Sequence, residues 1–179
     1  YSNFTPRSNK YAPKGCDEVM VFGTTYAMKQ IHFAFKNSFF DLPKEHVISQ
    51  IEEILTPYFG MKYDTTPFEK LHDLGYLPIR VKALEEGTLC PIKVPMLTII
   101  NTHKDFYWLP NFLETILSNS LWKPMTSATI AFSYKKLLTK WALATDKENV
   151  GFVDFQAHDF SMRGLDSVDA TIASGLGHL

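Results

Sequence analysis

Apolar residues recur with helical spacing over much of the first half of the chain. Between Pro43 and Phe59 they stand three or four positions apart, at Val47, Ile51, Ile54, Leu55 and Tyr58. Gly60 follows, so this spacing predicts an amphipathic helix that ends there. A less regular pattern predicts a helix over residues 17–39, although Gly23 and the pair Thr24-Thr25 weaken its first half.

Capping residues predict a short helix further along the chain. The run Thr66-Pro67-Phe68-Glu69 combines an N-cap threonine, proline at the first helical position and a glutamate three residues after the threonine. Gly75 then ends this helix. Helical spacing predicts two more helices, at about residues 109–119 and 126–145.

Strand-like alternation lies between these helices. Residues 79–84 alternate, Glu85-Glu86-Gly87 predicts a turn, and residues 96–100 form a second run rich in β-formers. The two runs predict an antiparallel pair of strands. Residues 1–17 are polar and contain prolines and a glycine, so we expect a short extended piece that leads into a loop.

A second alternating run begins after a break at residues 146–151. From residue 152 the odd positions Val153, Phe155 and Ala157 are apolar, whereas the even positions include Asp154, Gln156 and His158. This pattern predicts a strand that packs on one face and meets a ligand with the other. Arg163 follows the strand, and the helix-start signal at residues 166–169 follows Arg163. Guanidinium and helix-start amides both attract anions, so a phosphate site is predicted at Arg163.

The change of pattern at the break predicts the domain organisation. Residues 1–146 mix helices with antiparallel strands, which indicates an α+β region. Residues 147–179 read as one strand followed by one helix, which is the start of an α/β region. The chain begins at Tyr1 without methionine and stops directly after a helical pattern. We therefore expect it to be part of a longer polypeptide, with the α/β region truncated.

Composition narrows the possible partners. The chain has 18 Lys and Arg against 19 Asp and Glu, so no general basic field is available and no nucleic-acid partner is expected. No apolar run approaches the roughly 20 residues of a membrane span, so no membrane partner is expected. Cys16 and Cys90 lie outside any C-x-x-C spacing, which favours reduced thiols and a cytoplasmic location. The histidines show no metal-ligand spacing, so no metal-binding residue is predicted.

Several blocks of residues resemble nicotinamide phosphoribosyltransferases. They are Tyr1-Ser2-Asn3-Phe4 leading to Arg7, Leu77-Pro78-Ile79, Tyr107-Trp108-Leu109, Leu113 to Leu117, and His158-Asp159-Phe160 with Arg163-Gly164. The resemblance implies an α+β N-terminal region followed by the first βα unit of an irregular α/β barrel of the type II phosphoribosyltransferase kind. Residues 152–158 would form the first barrel strand. Active sites of such barrels lie at the carboxyl ends of the strands, where Phe160 and Arg163 fall.

The resemblance also implies an activity and roles for residues. The reaction is phosphoribosyl transfer from phosphoribosyl pyrophosphate to nicotinamide, giving nicotinamide mononucleotide and pyrophosphate in NAD biosynthesis. Arg163 would bind the pyrophosphate or phosphate, Phe160 would stack on the pyridine ring, and Arg7 would bind a phosphate. No catalytic residue is assigned, and His158 and Asp159 are interpreted as positioning groups. Mg²⁺ bound through the pyrophosphate, ATP as an activator and a homodimer with shared active sites are further implications.

Other interpretations of these residues stay open at this point. Arg163 would have a structural role if it paired with Asp159 or Asp166, Phe160 would be a core aromatic, and Arg7 would be a solvated surface residue. Nicotinate is the alternative substrate. A non-catalytic fragment that acts only as a dimerisation or interaction module is the alternative of another class, and we expect the 179 residues alone to be inactive.

Overall fold

The computed structural model describes residues 1–179, with five β-strands and five α-helices. The strands are β1 (Ser2–Phe4), β2 (Glu18–Met20), β3 (Ile79–Ala83), β4 (Leu89–Pro91) and β5 (Leu97–Asn101). The α-helices are α1 (Thr24–Phe35), α2 (Lys44–Phe59), α3 (Thr66–Leu74), α4 (Leu109–Thr145) and α5 (Val168–His178). A π-helical turn (Lys36–Phe40) and 3₁₀ segments (Lys104–Phe106, Lys147–Phe155 and Ser161–Arg163) complete the backbone.

The strands form two small antiparallel sheets. Strand β5 lies between β1 and β3, so that Ile99 faces Ser2 on one side and Val81 on the other. The predicted antiparallel pair is therefore confirmed as β3 and β5. The chain between them contributes β4, which pairs with β2 through Val19 and Cys90. The extended piece predicted at the N-terminus is confirmed as β1.

Helices α2 and α3 follow the sequence prediction closely. Helix α2 ends at Gly60, and α3 ends at Gly75; both glycines adopt the left-handed conformation that closes a helix. The predicted N-cap of α3 was one residue off, because Thr66 is the first helical residue and Thr65 precedes it. The buried Thr65 donates a hydrogen bond to Glu69 (2.8 Å), while the exposed Thr66 gives its backbone N–H to Asp64.

Helix α4 is continuous, so the prediction of two helices at 109–119 and 126–145 was wrong. Proline inside a helix costs about 3 kcal/mol, which is why the sequence around Pro124 suggests a break. The helix nevertheless buries a stripe of side chains on both sides of Pro124, at Leu109, Leu113, Leu117, Leu121, Met125 and Ala128. Burial of such side chains contributes about 1.5–3 kcal/mol each. This packing outweighs the local cost of the proline and holds one helix together.

The predicted helix over residues 17–39 starts only at Thr24. Its first residues form β2 instead, and Gly23 turns the chain with a φ of 83°. The first turn of α1 is capped by Glu86, which comes from a distant segment. The Glu86 carboxylate accepts hydrogen bonds from the Thr24 hydroxyl (2.8 Å) and from the backbone N–H groups of Thr25 (2.8 Å) and Gly23 (3.4 Å).

Residues 152–158 do not form the predicted strand. The 3₁₀ segment Lys147–Phe155 covers their first half, and the chain has no regular structure from 157 to 160. A strand needs a hydrogen-bonded neighbour, and none of the five strands pairs with this segment. It packs against α4 instead, with Val153 buried and Asp154 in an ion pair with Lys135 (2.8 Å). Phe155, on the same predicted face as Val153, is 66% accessible, so the alternation marks neither a strand nor a continuous packed face in this structure.

Helix α5 docks directly on α4. A Cβ atom at Gly177 would lie 2.4 Å from the carbonyl oxygen of Pro124 and 3.1 Å from the backbone nitrogen of Ala128. The hydroxyl groups of Ser127 and Ser174 are hydrogen-bonded across the same contact (3.0 Å). Only a glycine at position 177 permits the two backbones to come this close.

We predict that Gly177→Ala destabilises the protein by about 1–3 kcal/mol, because the added methyl group overpacks the contact between α4 and α5. Urea unfolding of the variant measures this loss. Gly175→Ala on the same helix is the matched control, since its Cβ would meet Asp159 only at an ordinary 3.9 Å. Equal stability of Gly177→Ala and the unsubstituted protein would contradict the packing described.

We also predict that Glu86 makes stability depend on pH. Burial by itself raises the pKa of this carboxyl, but the hydrogen bonds from Thr25, Thr24 and Gly23 outweigh it and hold the pKa below its ordinary value. Because the folded-state pKa is the lower one, the stabilisation is complete above the ordinary glutamate pKa. It is lost as the pH falls through the lowered folded-state pKa.

Glu86→Gln is therefore expected to lower the free energy of unfolding by about 0.5–1 kcal/mol at neutral pH. The difference from the unsubstituted protein shrinks in acid. Chemical denaturation at several pH values measures it. Glu85→Gln is the control, because Glu85 is an exposed neighbour whose side chain makes no hydrogen bond. It should change neither the free energy of unfolding nor the dependence of that energy on pH. A Glu86→Gln deficit that stays constant from neutral to strongly acid pH would disprove the assignment.

Candidate functional site

A single 3₁₀ turn brings Phe160 and Arg163 together. The turn spans Ser161–Arg163, with Phe160 directly before it, and the backbone N–H of Arg163 bonds to the Phe160 carbonyl (3.3 Å). The guanidinium carbon of Arg163 lies 5.6 Å from the centre of the Phe160 ring, which is a cation–π distance. Both side chains are exposed, and Phe160 is 66% accessible. The guanidinium thus lies over one face of a Phe160 ring that is otherwise largely exposed to solvent.

The charge of Arg163 is not neutralised by a neighbouring carboxylate. The four ion pairs of the structure all involve lysines, and Arg163 pairs with neither Asp159 nor Asp166. The structural ion pair considered for this arginine is therefore not formed. Phe160 is likewise no core aromatic, because most of its surface is accessible. A flat ligand with an anionic group would find both of its recognition groups on this turn.

Asp159 holds the start of the turn. Its Oδ1 accepts a hydrogen bond from the backbone N–H of Ser161 (2.8 Å). The pKa of Asp159 is lowered chiefly by the Ser161 side chain and by this backbone bond, and further by Ser174 and the charge of His178. The Ser161 Oγ is itself buried and makes no hydrogen bond of standard geometry. Asp159 is therefore ionised and engaged with the backbone rather than with Arg163.

The helix start after the turn is confirmed, with Ser167 as its N-cap. The Ser167 hydroxyl oxygen accepts the backbone N–H of Ala170 (3.1 Å) in α5. Asp169 stands in the first turn of the same helix. A carboxylate there already satisfies the positive end of the helix dipole, and it repels a second anion. Arg163 is consequently the positively charged side chain on this turn that has no carboxylate partner.

Arg7 lies apart from the turn. It is exposed and follows Pro6, whose carbonyl accepts the backbone N–H of Lys93 (2.8 Å). No hydrogen bond or ion pair joins Arg7 to another side chain, and none brings it to Phe160 or Arg163. The structure therefore brings two of the three predicted binding residues into contact, and Arg7 makes no hydrogen bond or ion pair with either of them.

His178 was missed by the sequence analysis. Its Nε2 lies 3.0 Å from the carbonyl oxygen of Ala157, so the last turn of α5 is tied to the segment before Phe160. A histidine near a helix C-terminus carries no sign of such a distant partner, and no sequence signal would have revealed it. The hydrogen bond from the Ser161 N–H to Asp159 could have been predicted locally, because an aspartate two residues before a free backbone N–H favours an Asx turn.

A groove of about 740 Å³ runs beside the turn, between α4 and α5. Its walls are largely apolar, and Asp159, His158 and Lys135 supply polar groups. No group of three or more His, Cys, Asp or Glu side chains in the chain is arranged to hold a metal ion. None of the helices combines the length and the apolar character needed to cross a membrane.

Comparisons with known proteins point to one kind of enzyme. The chain is 42% identical to a nicotinamide phosphoribosyltransferase of Acinetobacter baylyi over 185 aligned positions, which cover 100% of this chain and 36% of the relative. The relative in Xanthomonas campestris with the same name is 34% identical, over 59% of this chain and 22% of its own length. The relative of that name in Mycoplasma genitalium is 37% identical, over 58% of this chain and 23% of its own length. No protein-family model matches the chain. The chain thus spans about a third of the length of the first of these relatives.

Proposed function

We propose that the chain, which spans about a third of the length of its relative in Acinetobacter baylyi, belongs to the nicotinamide phosphoribosyltransferase family and that its full-length protein makes nicotinamide mononucleotide. The reaction joins nicotinamide to the ribose of phosphoribosyl pyrophosphate and releases pyrophosphate. The observation that carries the proposal is the placement of Phe160 and Arg163 on one turn, with the ring and the guanidinium 5.6 Å apart. A pyridine ring and an anionic leaving group must meet at the same point in this reaction.

The two side chains divide the recognition between them. In the reaction the pyridine nitrogen forms a bond to the anomeric carbon of ribose, while the bond from that carbon to the pyrophosphate oxygen breaks. Phe160 offers a flat face on which nicotinamide stacks, a contact worth about 0.5–1.5 kcal/mol beyond burial. Arg163 donates forked hydrogen bonds to the departing pyrophosphate, whose negative charge grows as the bond breaks. The chain contributes orientation and charge stabilisation, and no covalent intermediate is needed.

Magnesium enters this proposal as part of the substrate. Phosphate oxygens are the hard ligands that Mg²⁺ prefers, and the ion neutralises charge on the pyrophosphate when bound. Near the turn, this chain supplies the single carboxylate of Asp159, already engaged with Ser161, beside the guanidinium of Arg163. That donor set fits a metal carried mainly by the substrate. ATP as an activator is a further part of the proposal, as the family implies.

We propose that residues 152–158 become the first strand of an α/β barrel in the full-length protein. The alternating pattern supports this, and so do Phe152 and Phe155, which are 63% and 66% accessible and await a packing partner. On this assignment residues 1–146 form the α+β region and residues 147–179 begin the barrel. The Phe160–Arg163 turn then stands at the carboxyl end of the strand, where barrel active sites lie.

A homodimer with shared active sites is also proposed, and we place it in the cytoplasm. Support for the shared sites comes from Arg7, which has no side-chain partner in its own chain and no contact with Phe160 or Arg163. In a dimer this exposed arginine is free to reach the phosphate bound by the neighbouring subunit. Cys16 and Cys90 are both free thiols, which fits a reducing compartment.

We predict that the full-length protein forms nicotinamide mononucleotide from nicotinamide, phosphoribosyl pyrophosphate and Mg²⁺, and that Arg163→Ala lowers kcat/KM by about 10²–10³-fold. Arg163→Lys should restore part of the loss, because it keeps the charge but not the forked geometry. Chromatographic separation of the mononucleotides measures both rates. Arg80→Ala, at an exposed arginine of β3, is the matched control and should leave the rate unchanged.

Three results would each refute a different part of the proposal. If the protein used nicotinate preferentially, it would be a nicotinate phosphoribosyltransferase. If it turned over neither base, the remaining interpretation would be a non-catalytic interaction module. An Arg163→Ala variant as active as the unsubstituted protein would show that this arginine does not bind the pyrophosphate.

A further inference from the structure

The turn that carries Phe160 and Arg163 has few supports of its own. It contains one 3₁₀ turn, closed by the backbone bond from Gly164 to Ser161 (2.9 Å). Phe160 and Arg163 are exposed, and the contact recorded for the Arg163 guanidinium is the one with the Phe160 ring. Packing therefore does not fix these two side chains, and their separation depends on the backbone of the turn.

Asp159 fixes the backbone at the start of this turn and lies beside α5. Its Oδ1 accepts the N–H of Ser161 at 2.8 Å, which fixes the first residue of the turn. Its Oδ2 faces α5 and lies 3.9 Å from the point where a Cβ of Gly175 would stand. A side chain at position 175 larger than a methyl group would crowd the carboxylate. The carboxylate thus fills the space between the turn and α5.

A second connection fixes the chain on the other side of Asp159. The ring of His178 is hydrogen-bonded to the carbonyl oxygen of Ala157 (3.0 Å), which ties the chain two residues before Asp159 to the end of α5. Helix α5 itself cannot shift easily, because Gly177 lies against the backbone of α4. The position of the turn is consequently set by a chain of contacts that runs from α4 through α5 to Asp159.

We propose that Asp159 is a positioning residue for phosphoribosyl transfer, which holds Phe160 and Arg163 in the arrangement that receives the pyridine ring and the pyrophosphate together. The inference rests on the proposed function and deepens it. Asp159 acts through the backbone of the turn and needs no contact with the substrate. Its carboxylate serves as a hydrogen-bond acceptor, so an uncharged acceptor of the same shape performs the same task.

The test compares three variants of the full-length protein. Asp159→Ala removes the acceptor and should lower kcat/KM for phosphoribosyl pyrophosphate by about 10–100-fold, because displacement of a binding group by about 1 Å has effects of this size. Asp159→Asn keeps an oxygen in place for the Ser161 N–H and should recover most of the loss. Asp64→Ala is the matched control, since Asp64 accepts the N–H of Thr66 (3.1 Å) with the same spacing at the start of α3. It should leave kcat/KM unchanged.

A double-mutant cycle separates positioning from a general structural role. If Asp159 acts through the turn, Asp159→Ala should cost less in a protein that already carries Arg163→Ala than in the unsubstituted protein, because the part of its effect that passes through Arg163 is already lost. The proposal would be overturned if the loss of kcat/KM in the double variant equalled the product of the two single-variant losses. It would also be overturned if Asp159→Asn failed to recover activity. Wild-type activity of Asp159→Ala would overturn it as well, while leaving the proposed function intact.

Crystal structures of the unsubstituted protein and of Asp159→Ala give a readout that does not depend on activity. We expect the distance from the Arg163 guanidinium to the Phe160 ring to increase from 5.6 Å in the variant. An unchanged turn would refute the positioning role even if the protein proved to have no transferase activity. If the unsubstituted protein formed no mononucleotide but the turn was displaced in the variant, the proposed function would be refuted and the positioning role of Asp159 would stand.

Discussion

Helix α5 approaches α4 so closely that no side chain fits between them at Gly177. A methyl group there would lie 2.4 Å from the carbonyl oxygen of Pro124, well inside van der Waals contact. Helix α4 is in turn anchored by its buried leucine stripe, which packs in the same core as Leu97 and Ile99 of β5. The position of the segment before the Phe160–Arg163 turn follows from this contact, because His178 of α5 is hydrogen-bonded to Ala157 and the Asp159 carboxylate lies against α5 at Gly175.

Local signals predicted the elements whose structure is decided locally. Spacing and a terminal glycine were sufficient for α2 and α3, and alternation was sufficient for the pairing of β3 with β5. Elements that depend on distant neighbours were predicted less well. The start of α1 depends on Glu86, which lies some 60 residues later in the chain. The continuity of α4 through Pro124 depends on tertiary packing, which a proline in the sequence does not reveal.

The stretch 152–158 shows the same limit in the candidate site. Alternation predicts that one face of a segment is buried, which holds for Val153 but not for Phe155, and it does not identify the strand that would complete the hydrogen bonds. Without such a neighbour the backbone forms a 3₁₀ segment on α4. Phe160 and Arg163, in contrast, are only three residues apart, so their proximity could be predicted from the sequence. The separation of Arg7 from them could not, because it depends on the whole fold.

The recognition groups of the site therefore come from a short local stretch, whereas their orientation comes from long-range packing. A crystal structure of the full-length protein with nicotinamide mononucleotide and magnesium pyrophosphate tests this account most directly. The account predicts the pyridine ring stacked on Phe160, a phosphate or pyrophosphate oxygen hydrogen-bonded to the Arg163 guanidinium, and residues 152–158 paired in a barrel. Ligands bound elsewhere, with Phe160 and Arg163 still facing solvent, would contradict it.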